Sequence, residues 1–174
     1  HKRLVEAEDV FASLSQLHLP DVAALQSFGD RLEYLGLSSQ WQRAIALMRH
    51  TRVRGIPEAS AWRLMNTAVG LALVMREANR ADYGKHALGT SVSWKTPWGN
   101  LELTAWDTVA HAYDLMTSFA RGIAVRFDTR NGNNGVSYRI EMRMAAEAAG
   151  LASRSYGTVT SAVPADRSRL RHQG

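Results

Sequence analysis

The chain contains no cysteine, so any chemistry would fall to its histidine, arginine, lysine, acidic and hydroxyl side chains. That absence removes thiolate zinc sites, a disulfide framework and a cysteine nucleophile. The histidines, His1, His18, His50, His86, His111 and His172, share no metal-ligand spacing with one another. Asp128 opens a run rich in asparagine and glycine, but a calcium loop starting there would have Arg130 at its third position and Arg139 at its twelfth. None of the patterns G-x-x-x-x-G-K-[ST], G-x-G-x-x-G and G-x-S-x-G occurs. The residues therefore assign no catalytic group, no metal and no cofactor.

What remains is positive charge. Of the 21 basic residues 18 are arginine, and the formal net charge is +5. A guanidinium offers a planar fork of donors that suits phosphate and stacks on bases, which favours a nucleic-acid partner. GC-rich coding produces the same bias. Arg43, Arg49, Arg52, Arg54 and Arg63 form the leading basic cluster. Trp94, Trp98 and Trp106, with Lys95 among them, either stack on bases or serve a protein contact or a small core.

Helices must position these groups in the first half. Leu4, Ala7, Phe11, Leu14 and Leu17 keep helical spacing up to Pro20. A second helix is predicted over about 22–35, with Leu25, Phe28, Leu32 and Leu35 on one face, Gly36 as its stop and Ser38 or Ser39 capping the next. A third spans 40 to about 54, and a fourth 59 to about 78, with Trp41 and Trp62 on apolar faces. The pattern recurs at an offset of 37 residues: Leu4, Ala7, Phe11, Leu19, Pro20 and Asp21 fall against Trp41, Ala44, Met48, Ile56, Pro57 and Glu58. Repetition of helical units at such a period is the mark of an α-solenoid.

Periodicity lapses after Asn79. The order beyond it is predicted as strand 101–105, helix 107–121, strand 123–128, loop 129–135, helix 137–149 and a further strand near 156–163, an alternation that suits parallel pairing. The expected fold is thus α plus α/β: a short solenoid of helical hairpins over 2–78, an irregular linker over 79–100, a small α/β domain over 101–165 and a basic tail over 166–174. The longest apolar run, Thr67 to Met75, is far short of the ~20 residues a membrane helix requires. Opening on His1, the sequence is read as a mature form or a fragment.

Residues 40–58 resemble the second helix and closing turn of a pentatricopeptide repeat, with Trp41, Ala44, Leu47, Met48, Gly55, Ile56 and Pro57 at the family's aromatic, alanine, apolar-pair and exit positions. Glu58 to Asn66 resembles the opening of the next unit, and the likeness covers about two hairpins. The unit here is slightly longer than is usual for the family, and tetratricopeptide or other helical hairpins are the alternative. The resemblance implies single-stranded RNA read by first helices. Counting forward from the prolines puts Gln26 and Arg63 at the base-facing position and Glu58 at the repeat's close, whereas counting back from Trp41 puts Gly29 in place of Gln26. Neither register gives the usual base-reading pair, and solvated helix residues explain these side chains equally well.

Leu101 to Thr104, followed by a helix, the run Val125 to Gly135 and a further helix, is similar to a degenerate small MutS-related domain. Thr129, Gly132 and Asn133 match that family's loop, Arg130 does not, and Thr104 stands where a histidine is expected. The loop residues Thr129, Arg130, Gly132 and Asn133 would meet a phosphate at a helix N-terminus, or simply make turns. Threonine cannot titrate near neutral pH, so the resemblance does not bring nuclease activity with it. Together the resemblances imply a non-catalytic RNA-associated protein of a mitochondrion or chloroplast. The alternative is a structural or assembly subunit of a large organellar complex that uses the hairpins for protein contacts.

Overall fold

The computed structural model describes residues 21–50, 60–97 and 99–148. Among them are five helices and one two-stranded sheet: α1 (Asp21–Leu37), α2 (Trp41–His50), α3 (Ala61–Arg80), β1 (Val92–Thr96), β2 (Gly99–Leu103), α4 (Val109–Asn131) and α5 (Gly135–Ala145). The helix over 2–19, the strand near 156–163, the basic tail and most of the residues paired by the 37-residue offset lie outside the described residues.

The centre of the fold is α3. Ser60 caps it by accepting the N–H of Arg63, and from Thr67 to Met75 every residue is buried. A helix buried all round needs neighbours on every side, and α1 and α4 supply the two largest contacts. The apolar run that falls short of a membrane span is this central helix. Among the described residues no helix is long and apolar enough to cross a membrane.

Backbone contact without side chains lets α1 approach α3. A Cβ on Gly29 would lie 3.0 Å from the Thr67 Cα, one on Gly36 2.9 Å from the Leu73 Cβ, and one on Gly70 2.5 Å from the Gly29 carbonyl oxygen. Gly36 is therefore not the stop that its type and position suggest. The helix runs through it to Leu37, and Ser39 takes the left-handed conformation instead (φ 57°) while Gln40 N–H donates to the Leu35 carbonyl at 2.8 Å. Ser38 and Ser39 belong to this exit, and the next helix starts after Gln40.

β1 and β2 pair antiparallel in a hairpin, with Val92 opposite Leu103 and Trp94 opposite Leu101. All four side chains are buried on one face. Of the expected strands, 101–105 coincides with β2; its partner β1 lies in the expected linker, and the pairing is antiparallel rather than parallel. The expected strand 123–128 is helix. Val109, Ala112, Met116, Ala120, Ile123 and Ala124 are all buried along one side of α4, so packing on α3 overrides the β-branched local composition. Gly122 does not end that helix; Gly132 does, at φ 68°. One hydrophobic core holds residues from both sides of the expected linker, from Leu32 to Ile140.

Arginine does much of the fastening. Arg143 on α5 reaches Glu33 on α1 (Nε to Oε1 3.0 Å, Nη2 to Oε2 2.5 Å) and Asn66 on α3. Arg76 donates to the carbonyls of Met144 and Ala146 and pairs with Glu77. These guanidiniums tie the last helix to the centre.

Candidate nucleic-acid interface

The N-terminal end of α3 and the C-terminal half of α4 meet at a pair of rings beside Arg126 and Arg130. Trp62 packs edge-to-face on Phe127, with ring centroids 5.7 Å apart and planes at 82°. The Arg130 guanidinium carbon lies 5.2 Å from the Phe127 centroid, close enough for cation–π attraction. Ala61, Ile123, Arg126, Phe127 and Arg130 line a small open cleft whose exposed lining is mostly apolar. Helical spacing explains the convergence: Arg126 and Arg130 are four residues apart on α4, one above the other.

The acids that would neutralise this end of α4 are committed elsewhere. Glu141 is held by Arg121 (2.6 and 2.8 Å). Asp128 turns into the α4–α5 corner, where Oδ1 accepts the N–H of Val136 at 2.8 Å and Oδ2 that of Ser137 at 2.9 Å. Among the described residues Arg126 and Arg130 form no ion pair, nor does Arg63 beside Trp62. Exposed aromatic area beside unpaired guanidiniums suits a ligand carrying both phosphate and bases.

The sequence-derived residues divide sharply. Arg49 donates to the Leu88 carbonyl through Nε and Nη2, both at 3.3 Å, and so pins a loop. Gly89 beside it has φ +73° and no room for a side chain under that guanidinium. Arg43 bonds Gln40 Oε1. Arg63 sits half-buried one residue from the cleft, whereas Arg52, Arg54 and Glu58 lie outside the described residues. Gln26 belongs to α1. Of the expected basic cluster, Arg43 and Arg49 are thus on α2 and Arg63 in the first turn of α3.

The expected phosphate loop has a different occupant. Thr129 and Arg130 are the last turn of α4, with Thr129 Oγ1 donating to the Val125 carbonyl at 2.9 Å. Gly132 and Asn133 both direct their N–H to the Asp128 carbonyl, and the first free N–H groups of α5 are filled by the Asp128 carboxylate. The helix N-terminus therefore already holds an anion, supplied by the chain. Burial pushes the Asp128 carboxyl up, but the Ser137 hydroxyl and N–H and the Val136 N–H outweigh it and hold it below the usual carboxylate range. A depressed carboxyl stabilises the fold above its ordinary pKa and loses that contribution as pH falls through the lower folded value. Asp128→Ala is expected to lower the thermal midpoint by a few degrees at pH 7, with the gap to wild type closing below about pH 4. A gap that stays constant down to pH 2 contradicts this role.

Thr104 follows β2 and directs both its N–H (2.6 Å) and its hydroxyl (2.9 Å) to Asp107 Oδ2. These two bonds, backbone first, hold the Asp107 carboxyl below its usual value. Among the described residues no group of three or more His, Asp or Glu side chains is placed to hold a metal ion.

Trp62, Arg126 and Phe127 were the residues to miss from sequence. Trp62 was expected in the core, yet it is 37% exposed. Arg126 and Phe127 sat in the presumed strand, where neighbours point to opposite faces. The available signal was an arginine pair spaced by four with a phenylalanine between. The chain matches no protein-family model, no curated protein and no solved structure.

Proposed function

We propose that the chain is a non-catalytic RNA-associated protein that holds single-stranded RNA through arginine–phosphate contacts beside a ring surface. The carrying observation is the cleft where Arg126 and Arg130 stand without carboxylate partners among the described residues, next to exposed Trp62. Guanidiniums supply attraction without sequence preference, and a tryptophan face accepts any base. The likeness of residues 40–58 to a pentatricopeptide hairpin supports RNA over other polyanions, and favours a mitochondrial or chloroplast location in this reading. Binding is expected to weaken linearly on a log–log scale with salt, by about 0.7 units of slope per phosphate contacted on a single strand. Titration of a fluorescent 12-nucleotide single strand at several salt concentrations tests this. Binding that ignores salt, or no binding at all, contradicts it.

One observation favours the second reading, a subunit docked in a larger complex. Val125 on α4 and Tyr138 and Met142 on α5 are each more than half exposed, on two helices joined by the Arg121–Glu141 pair. Exposed apolar side chains grouped on a helical hairpin suit protein contact. The same titration separates the readings, since this one expects no salt-dependent RNA binding from the isolated chain.

A further inference from the structure

At the other end of α3 three rings form a ladder. Trp41 opens α2, and Tyr83 and His86 lie in the turns after α3. The Trp41 and Tyr83 centroids are 4.9 Å apart with planes at 37°. Tyr83 and His86 stack at 4.1 Å, nearly parallel at 2°. Trp41 and Tyr83 are half-buried against the core, whereas His86 is exposed. One face of its imidazole lies flat on Tyr83, and among the described residues no ring stacks on the other face.

The backbone fixes the top ring. His86 N–H donates to the Tyr83 carbonyl (3.1 Å), and the His86 carbonyl accepts the N–H of Val109 (3.0 Å). The Gly84 carbonyl accepts the N–H of Ala110, also at 3.0 Å. A ring already ordered loses little conformational entropy when a ligand stacks on it. Lys85, exposed beside it, makes no ion pair among the described residues and supplies a cation for a neighbouring phosphate.

We propose that the outer face of His86 is a base-stacking platform, the open end of the Trp41–Tyr83–His86 ladder, and that it takes a nucleobase of single-stranded RNA. The proposal rests on the RNA reading and adds a contact site remote from the cleft. The 20 residues of α3 separate the two by about 30 Å along the helix axis. At roughly 3.4 Å per nucleotide, a stacked strand of 12 covers about 40 Å.

The test is equilibrium binding of a 12-nucleotide single-stranded RNA, at one low salt concentration, to wild type, His86→Ala, His86→Phe and the double variant Arg126→Glu, Arg130→Glu. The backbone bonds of residue 86 survive both histidine substitutions, so thermal midpoints are expected to match wild type. His86→Ala should bind roughly fivefold to a hundredfold more weakly, the range for one lost base stack, and His86→Phe should recover most of that loss. If His86→Ala binds like wild type while the charge-reversed protein does not, the platform is overturned and the RNA reading stands. If His86→Phe is as weak as His86→Ala, stacking is overturned as the cause. If wild type does not bind, both proposals fall.

Discussion

Reversing Arg126 and Arg130 to glutamate together is expected to weaken single-stranded RNA binding by at least about a hundredfold at low salt. Each guanidinium–phosphate contact at about 4 Å in a water-like dielectric amounts to ~1 kcal/mol, and a glutamate in its place repels by a similar amount. Two reversals therefore change the interaction by about 4 kcal/mol before screening, and screening by salt removes part of that. Neither side chain forms an ion pair among the described residues, so the fold should persist with a small loss of stability from the Arg130–Phe127 contact and the helix end. Alanine at both positions should instead lower the salt slope by about 1.4. If circular dichroism matches wild type and affinity is also unchanged, the cleft does not bind RNA.

The second large effect is on stability, and its sign depends on position. In the interior of an exposed helix, glycine to alanine gains up to about 1 kcal/mol. Gly122 is such a site, because a Cβ there meets nothing within 4 Å, so Gly122→Ala is expected to raise the thermal midpoint by a few degrees. At Gly70 the same methyl would lie 2.5 Å from the Gly29 carbonyl oxygen and 3.0 Å from the Glu33 nitrogen. Both obstacles are backbone, so α1 and α3 must separate, and overpacking of this kind costs typically 1–3 kcal/mol and occasionally more. With the propensity gain subtracted, Gly70→Ala is expected to lose about 1 kcal/mol, or ~2–4 °C in a chain of this length. Thermal unfolding of the pair decides it. A Gly70→Ala protein as stable as wild type would show that α1 and α3 do not approach so closely.

These positions also show how far the fold was legible. Helical spacing located α1, α2 and α3 to within a few residues, because Leu32, Leu35, Ala44, Met48, Met65 and Val69 face the core at the expected intervals. Glycine was the misleading signal. Gly36 and Gly122 are punctuation by type, yet the first exists for close helix approach and the second lies in open helix, while the true exits use Ser39 and Gly132. Ile123 to Asp128 has strand-like composition, and only the buried face running from Val109 to Ala124 makes it helix. Neither fact is local, so neither could be taken from a short window of sequence.

The candidate site was legible in kind but not in place. Arginine bias pointed to phosphate, but the bias conceals two populations. Arg49, Arg76 and Arg143 bind carbonyls and carboxylates and hold the fold together. Arg126 and Arg130 face a cleft. The difference lies in tertiary partners, such as Glu33 placed 110 positions from Arg143, which composition cannot supply. Asp128 is the opposite case. Its neighbours suggested an anion-binding loop, and the anion is its own carboxylate.

The central claim is that RNA lies against Trp62, Arg126, Phe127 and Arg130. Ultraviolet crosslinking of a 12-nucleotide single strand to the wild-type chain, with the attached peptides mapped by mass spectrometry, addresses it most directly. The expected result is crosslinks to the peptides carrying Trp62 and Phe127, lost when Arg126 and Arg130 are both glutamate. Crosslinks confined to other surfaces, such as Trp106 (87% exposed) or Tyr138 on α5, would contradict it.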